Sequence, residues 1–296
     1  MTAIINPAPE ADITAPMPSR RRLRHQSEGG WVTYAILIVV AIVSIFPLYY
    51  VIVMASHTNA EMAQSPPPFV PNGTLWGQIK DAVGKAPLNK GLVNSFIVAS
   101  CITLGTVFFC TLAGFAFGKL KFRGNNILLA ICIGTMMVPP QLGVVPLFML
   151  MSKWGMINHL QAVILPSLVT AFGVFFMRQY VMSAVPDELI EAAYIDGAST
   201  TRVFLSIVLP AVRPAMAVLG MLTFLQAWND FFWPMMALSS QNPTIQVSFQ
   251  SLRSGLFDQQ SVVMAGTLYG TIPVLVVFII LGRQIVGGIM QGAVKG

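Results

Sequence analysis

The chain has 296 residues, of which 55% are hydrophobic and only 9% charged. A soluble domain carries about 25% charged residues, so the composition excludes a water-soluble globular protein and points to a membrane protein. The net charge of +6 does not imply a nucleic-acid partner, because no dense basic patch interleaved with aromatics lies outside the N-terminal arm.

Met1 to Gly30 mixes prolines and acids with the basic run Arg20, Arg21, Arg22 and Arg24. Such a stretch cannot bury a core and is expected to be disordered. The apolar stretch 32–54 is too long for a signal-peptide core and lacks a small-x-small cleavage site, so it reads as an uncleaved first transmembrane helix. Residues 56–90 are polar and proline-rich and form an external loop, with one short helix expected over Trp76 to Val83. The second span, 91–118, carries no charge, and Lys119, Lys121 and Arg123 follow it as a tight basic turn. The third span is expected at 125–152, the fourth at 155–177, the fifth at 211–238 and the sixth at 261–282, with an external loop at 239–260. Each meets the roughly 20 residues that a bilayer requires. The expected fold is therefore an all-α integral membrane protein whose transmembrane domain covers 31–296.

Six spans place both ends on one side. With that side cytoplasmic, twelve of the seventeen Lys and Arg residues lie inside and five outside, which is the asymmetry of the positive-inside rule. The segment between the fourth and fifth spans is then cytoplasmic.

Catalytic signatures do not occur. The chain has no Walker lysine loop and no serine nucleophile elbow, and His25, His57 and His159 are too far apart for a helical metal pair. No catalytic residue, metal site or cofactor is expected on it. His159 reads as a headgroup-level residue at the start of the fourth span. Cys101, Cys110 and Cys132 lie inside apolar runs and read as small buried hydrophobes, not as disulfide partners or metal ligands.

Two places in the spans depart from plain apolar helix. Val138-Pro139-Pro140-Gln141, with Pro146 beyond it, lies mid-way along the third span. Two prolines in succession free backbone carbonyls, and such backbone survives in a membrane only against protein or a watery cavity. Two readings stand: a wall of a translocation path with Gln141 offered to a polar solute, or a kink packed on its neighbours. Trp228-Asn229-Asp230, followed by Phe231, Phe232, Trp233 and Pro234, lies toward the external end of the fifth span. Asp230 should face protein or water, since lipid would penalise the charge. It either binds solute or holds a structural hydrogen bond with Asn229 and a partner subunit. The aromatics fit an interfacial belt.

The stretch that organises the chain is Glu191 to Pro214, EAAYIDGASTTRVFLSIVLPAVRP. Pro186, with Asp187 and Glu188 in the first turn, marks a helix start, and a short helix runs from there to about Asp196. Glu191, Tyr194 and Ile195 stand at i, i+3 and i+4 on one face. Gly197 supplies a backbone free to turn. A second short helix is expected from Ala198 to about Leu209, with Asp196 as its N-cap and Pro210 and Pro214 disturbing the helix beyond it. Ala192, Ala193, Gly197 and Ala198 let another backbone come close. The plainer reading is a surface hairpin whose acids are merely solvated and whose Asp196 and Ser199 merely cap.

These residues resemble the loop of permease subunits of ATP-binding-cassette importers. The pattern is Glu-Ala-Ala, then Asp-Gly-Ala three residues on, then an apolar helix, Leu-Pro and a further Pro. Glu191, Ala192, Ala193, Asp196, Gly197, Ala198, Phe204, Ile207, Leu209, Pro210 and Pro214 match it without departure. The resemblance covers nearly all of the chain after Gly30. It is similar to the carbohydrate branch, the second, six-span permease of maltose-type systems, also in Asn94-Ser95, Pro140-Gln141, Trp228-Asn229-Asp230 and the ending Gly292 to Gly296.

That resemblance implies a subunit of an ATP-driven importer in a bacterial plasma (inner) membrane, multi-pass, forming half of the path for a di- or oligosaccharide. It implies a second permease as heterodimer partner, two ATPase subunits that bind and hydrolyse the ATP, an extracytoplasmic solute-binding protein and the membrane lipid. It implies that the loop 186–210 docks on the ATPase through Glu191, Ala192, Ala193, Tyr194, Ile195, Asp196, Gly197 and Ala198, and that Gln291 to Gly296 reach the ATPase interface or are too short to act. Alternatives are a permease for another small solute, such as a polyamine, a glycerol phosphate or an amino acid, and a non-transport structural subunit.

Overall fold

The structure is a computed structural model that describes residues 30–253 and 259–293, with side chains as far as residue 280. The expected disordered arm, apart from Gly30, and the last three residues of the C-terminal tail lie outside the described residues. Contacts divide the chain into a unit ending at Tyr49 and a unit beginning at Tyr50.

The first unit holds most of α1 (Trp31–Ala55), 25 residues with no charge and with Pro47 inside. A helix apolar on every side suits a lipid environment.

The second unit continues with α2 (Asn59–Met62), α3 (Leu75–Lys85), α4 (Leu88–Lys119), α5 (Asn125–Gly134), α6 (Val144–Lys153), α7 (Gln161–Ile164), α8 (Ala171–Ala184), α9 (Asp187–Ile195), α10 (Thr200–Val203), α11 (Leu209–Asn229), α12 (Phe232–Ala237), α13 (Ile245–Arg253) and α14 (Gln260–Ala293). The described residues contain helices and no strands. Four helices are long and apolar enough to cross a membrane: 31–55, 88–119, 200–229 and 260–280. Two bent pairs, 125–153 and 161–184, bring the number to six if each is one span.

The third and fourth expected spans are each bent, the third at the successive prolines that mark it as irregular and the fourth at a place the sequence did not mark. The third folds by 95° between Met137 and Pro140. Val138 precedes Pro139, and Pro139 precedes Pro140, so each is pushed out of the helical region by the ring after it. Both adopt extended ψ values, 118° and 127°. The fourth bends by 41° after Ser167 and resumes at Ala171, where the Thr170 hydroxyl accepts from the Gly173 N–H at 3.0 Å. That is an N-cap, so a new helix begins there.

The fifth span also differs from 211–238. Its helix begins at Thr200 and ends at Asn229, and Phe232–Ala237 is a separate short helix. Pro210 and Pro214 do not break it. In a regular helix the Pro210 ring would press on the Ser206 carbonyl. A π-turn over Phe204–Val208, closed by the Leu209 N–H on the Phe204 carbonyl, widens the helix just before that ring.

Packing centres on α4, which lies against α8 and α11; α11 in turn lies against α14, and α14 against α3. Small residues permit the close approach that membrane helices use. A Cβ on Gly114 would lie 2.7 Å from the Arg178 backbone nitrogen, and one on Gly173 would lie 2.7 Å from Cys110 Sγ. Cys110 is buried there as expected, whereas Cys101 is exposed on the outer side of α4, because its position falls off the packed face. The region 239–260 holds α13, fastened to α4 by Asn94 and Ser95. Asn94 Nδ2 donates to the Pro243 carbonyl at 2.8 Å, and Ser95 Oγ accepts from the Ile245 N–H at 2.8 Å.

Candidate functional site

The loop after α8 is seated on the same core as α4, α8 and α11. Val181, Val185, Ile190, Val203, Phe204 and Val208 are buried together with Phe115 of α4 and Met177 of α8. At the other edge Lys119 Nζ meets Asp187 Oδ1 at 2.6 Å. The hydrogen bond from Lys119, with its charge and that of Lys121, holds the Asp187 carboxyl below the usual carboxylate range.

Helix α9 ends in a Schellman motif. The Ala198 N–H donates to the Ala193 carbonyl at 2.9 Å and the Gly197 N–H to the Tyr194 carbonyl at 3.0 Å. This motif requires a left-handed residue one beyond the cap. Gly197 has φ +77°, and nothing lies within 4 Å of the point a Cβ would occupy. Asp196 is therefore the end of α9 and does not cap the next helix. Ser199 does, its hydroxyl accepting from the Arg202 N–H at 3.3 Å. The second helix is not short either, since α10 runs through the π-turn into α11.

The result is a corner with one face fastened and one face open. Ile190 is buried, and Ala193 and Ala198 rest half-buried on the core. Glu191, Ala192, Tyr194, Ile195, Asp196 and Gly197 are exposed, Ile195 at 86%. A large aliphatic held that far out by a rigid corner is available to a protein partner.

A cavity of about 680 Å³ lies between the α5–α6 break, the α7–α8 bend and the end of α11. Pro140, Gln141, Asn229 and Asp230 all line it, so the two irregular places of the sequence meet in one site; Pro139 is not in its wall. Asn229 Nδ2 donates to the Leu225 carbonyl at 2.8 Å. Asp230, half-buried, follows the last residue of α11 and faces the cavity just before α12. Trp233 is buried and its indole N–H donates to the Ala162 carbonyl at 3.0 Å, which fixes α12 to α7 at the cavity edge. It is thus a structural pin between the two helices.

Reading the sequence missed Thr223 and Gln226, which also face the cavity, along with Ser167 and Thr170. The signal was available: Thr223, Gln226 and Asn229 recur every three residues, a polar stripe on an otherwise apolar helix. Among the described residues no group of His, Cys, Asp and Glu is arranged to hold a metal ion.

Known proteins share both the sequence pattern and the fold. Residues 110–288 match the family model described as the inner membrane component of binding-protein-dependent transport systems. An sn-glycerol-3-phosphate transport system permease protein of Pectobacterium atrosepticum is 30% identical over 270 residues, 88% of this chain and 95% of its own. A lactose transport system permease protein of Rhizobium radiobacter is 32% identical over 266 residues, 89% and 96% of the two chains. An arabinooligosaccharides transport system permease protein of Halalkalibacterium halodurans is 32% identical over 204 residues, 69% and 73%. A solved bacterial ABC transporter involved in the import of the acidic polysaccharide alginate shares the fold, with a TM-score of 0.73 at 21% identity over 85% of this chain and 94% of that one.

Proposed function

This chain belongs to the family of binding-protein-dependent transport system inner membrane components, and on that premise we propose that it forms half of the translocation path of an ATP-driven importer for a di- or oligosaccharide. Its partners in this reading are a second permease, two cytoplasmic ATPase subunits and an extracytoplasmic binding protein. ATP is bound and hydrolysed by the ATPases alone. Both ends of the chain and the corner around Gly197 face the cytoplasm, in keeping with the distribution of Lys and Arg.

One observation carries the mechanism. Thr200–Asn229 is a single 30-residue helix, about 45 Å long at ~1.5 Å per residue. Its first turn is the corner held by Ser199, and its last turns carry Thr223, Gln226 and Asn229 in the cavity wall. A push on the exposed face of α9 therefore reaches the cavity through one continuous helix. Glu191, Tyr194 and Ile195 supply a charge, an amphipathic ring and an aliphatic anchor for the ATPase. Gln141, Gln226 and Asn229 supply amides that pair with sugar hydroxyls.

The test is Glu191→Ala in the assembled transporter. Losing one partner of a desolvated charge pair typically costs about 2–5 kcal/mol, so ATPase co-purification and solute uptake should both fall while membrane insertion stays normal. Wild-type co-purification together with wild-type uptake would remove this corner from the coupling.

A further inference from the structure

The cavity wall is chemically lopsided. Among the described residues that line it there is one carboxylate, Asp230, three primary amides, Gln141, Gln226 and Asn229, and no lysine, arginine or histidine. Phe232 and Trp233 add aromatic surface. From this we infer that this half of the path is a charge filter, which admits neutral polyhydroxylated solutes and turns away anionic ones such as phosphate esters and uronates. The inference rests on the reading of the cavity as the path.

The chemistry follows from the groups present. An ionised carboxylate offers about four acceptor positions. Those on Asp230, in the cavity wall, accept from hydroxyls and have nothing to offer a second anion. The Asn229 carbonyl oxygen stays free to accept, since it is the amide nitrogen that is tied to Leu225. A neighbouring vicinal diol both donates and accepts, and amides answer both needs. A phosphate or carboxylate demands donors and countercharge, and this wall supplies amide N–H groups but no cation. The negative charge also repels it at the short distances set by the cavity wall.

The filter is read without knowing the solute. In the complete complex reconstituted in vesicles, Cys101, Cys110 and Cys132 are replaced by Ala and Val144, a lining residue, by Cys. The thiol is then treated with methanethiosulfonates carrying a trimethylammonium group, a sulfonate group or no charge, each rate being normalised to a free thiol in solution. The cationic reagent should react at least about tenfold faster than the anionic one. Asp230→Asn should bring the two within about twofold while the uncharged reagent keeps its rate, and Gln226→Lys, at an exposed lining position, should invert the preference when added to Asp230→Asn. Equal rates with Asp230 present, or a ratio that Asp230→Asn leaves unchanged, overturn the filter and leave the path standing. Failure of all three reagents to react, both at rest and with nucleotide bound, closes the cavity to water and overturns the path and the filter together.

Discussion

The corner at Gly197 separates two explanations of why a glycine stands there. Its φ of +77° lies in the left-handed region, and no atom comes within 4 Å of where a Cβ would be. Inside this chain a side chain would meet nothing, so the whole intramolecular cost is backbone strain, roughly 1–2 kcal/mol for an ordinary L-residue. That corresponds to a factor of about 5–30 in the population of the correctly turned corner. Asn tolerates this region several-fold better than other residues and β-branched residues worst. If turn geometry is what coupling needs, Gly197→Asn should retain most uptake and ATPase co-purification, Gly197→Ala should lose part, and Gly197→Val should lose most. If Asn is as damaging as Val, the glycine is required because the ATPase packs against it, and the Schellman motif is refuted as the explanation of its role.

The close contact of α4 with α8 gives a second prediction. Gly114→Ala puts a Cβ within 2.7 Å of backbone that cannot swing away, so the helices must part at a cost of about 1–3 kcal/mol, lowering the melting temperature of the purified complex. Gly84→Ala in α3, where nothing lies within 4 Å, should be neutral or stabilising by up to about 1 kcal/mol; equal effects at the two positions would contradict the close packing of α4 on α8. Asp187 predicts a pH dependence. Its carboxyl is depressed by Lys119, so its contribution is present above the unfolded carboxylate pKa and is lost as pH falls through the lower folded value. Melting curves of wild type and Asp187→Asn should stay a constant distance apart above the ordinary carboxylate range and merge in acid. Curves that instead converge toward alkaline pH would contradict the sign.

Much of this arrangement was present in local chemistry. The apolar lengths marked where the chain crosses, and Pro186, Asp187 and Gly197 marked the first helix of the corner within a residue of Asp187–Ile195. The successive Val138-Pro139-Pro140 contained the 95° fold too, once the residue before each proline is considered. Other features depend on distant partners. Asn94 and Ser95 are ordinary polar residues until α13, some 150 positions later, presents its backbone to them. The helix through Pro210 and Pro214 was unreadable because a π-turn, an alternative with no sequence signature, absorbs the ring. Asp196 misled because Asp is a good N-cap; the left-handed Gly197 beside it makes it the end of one helix, and the cap passes to Ser199. The separation of α12 from α11 rests on Trp233 reaching Ala162, a contact across 71 residues.

The central claim is that one helix carries motion from the corner to the cavity, and labelling of Gln141→Cys tests it most directly. In the assembled complex without its native cysteines, the rate of reaction with an uncharged methanethiosulfonate is measured with and without an ATP analogue. The rate should change at least about threefold on nucleotide binding when the corner is intact, as expected for an altered wall of a two-state path. In Gly197→Val complexes that still hold the ATPase, that change should disappear. A nucleotide-dependent change of the same size in the variant would mean that the cavity responds by another route, and Thr200–Asn229 would not be the coupling element.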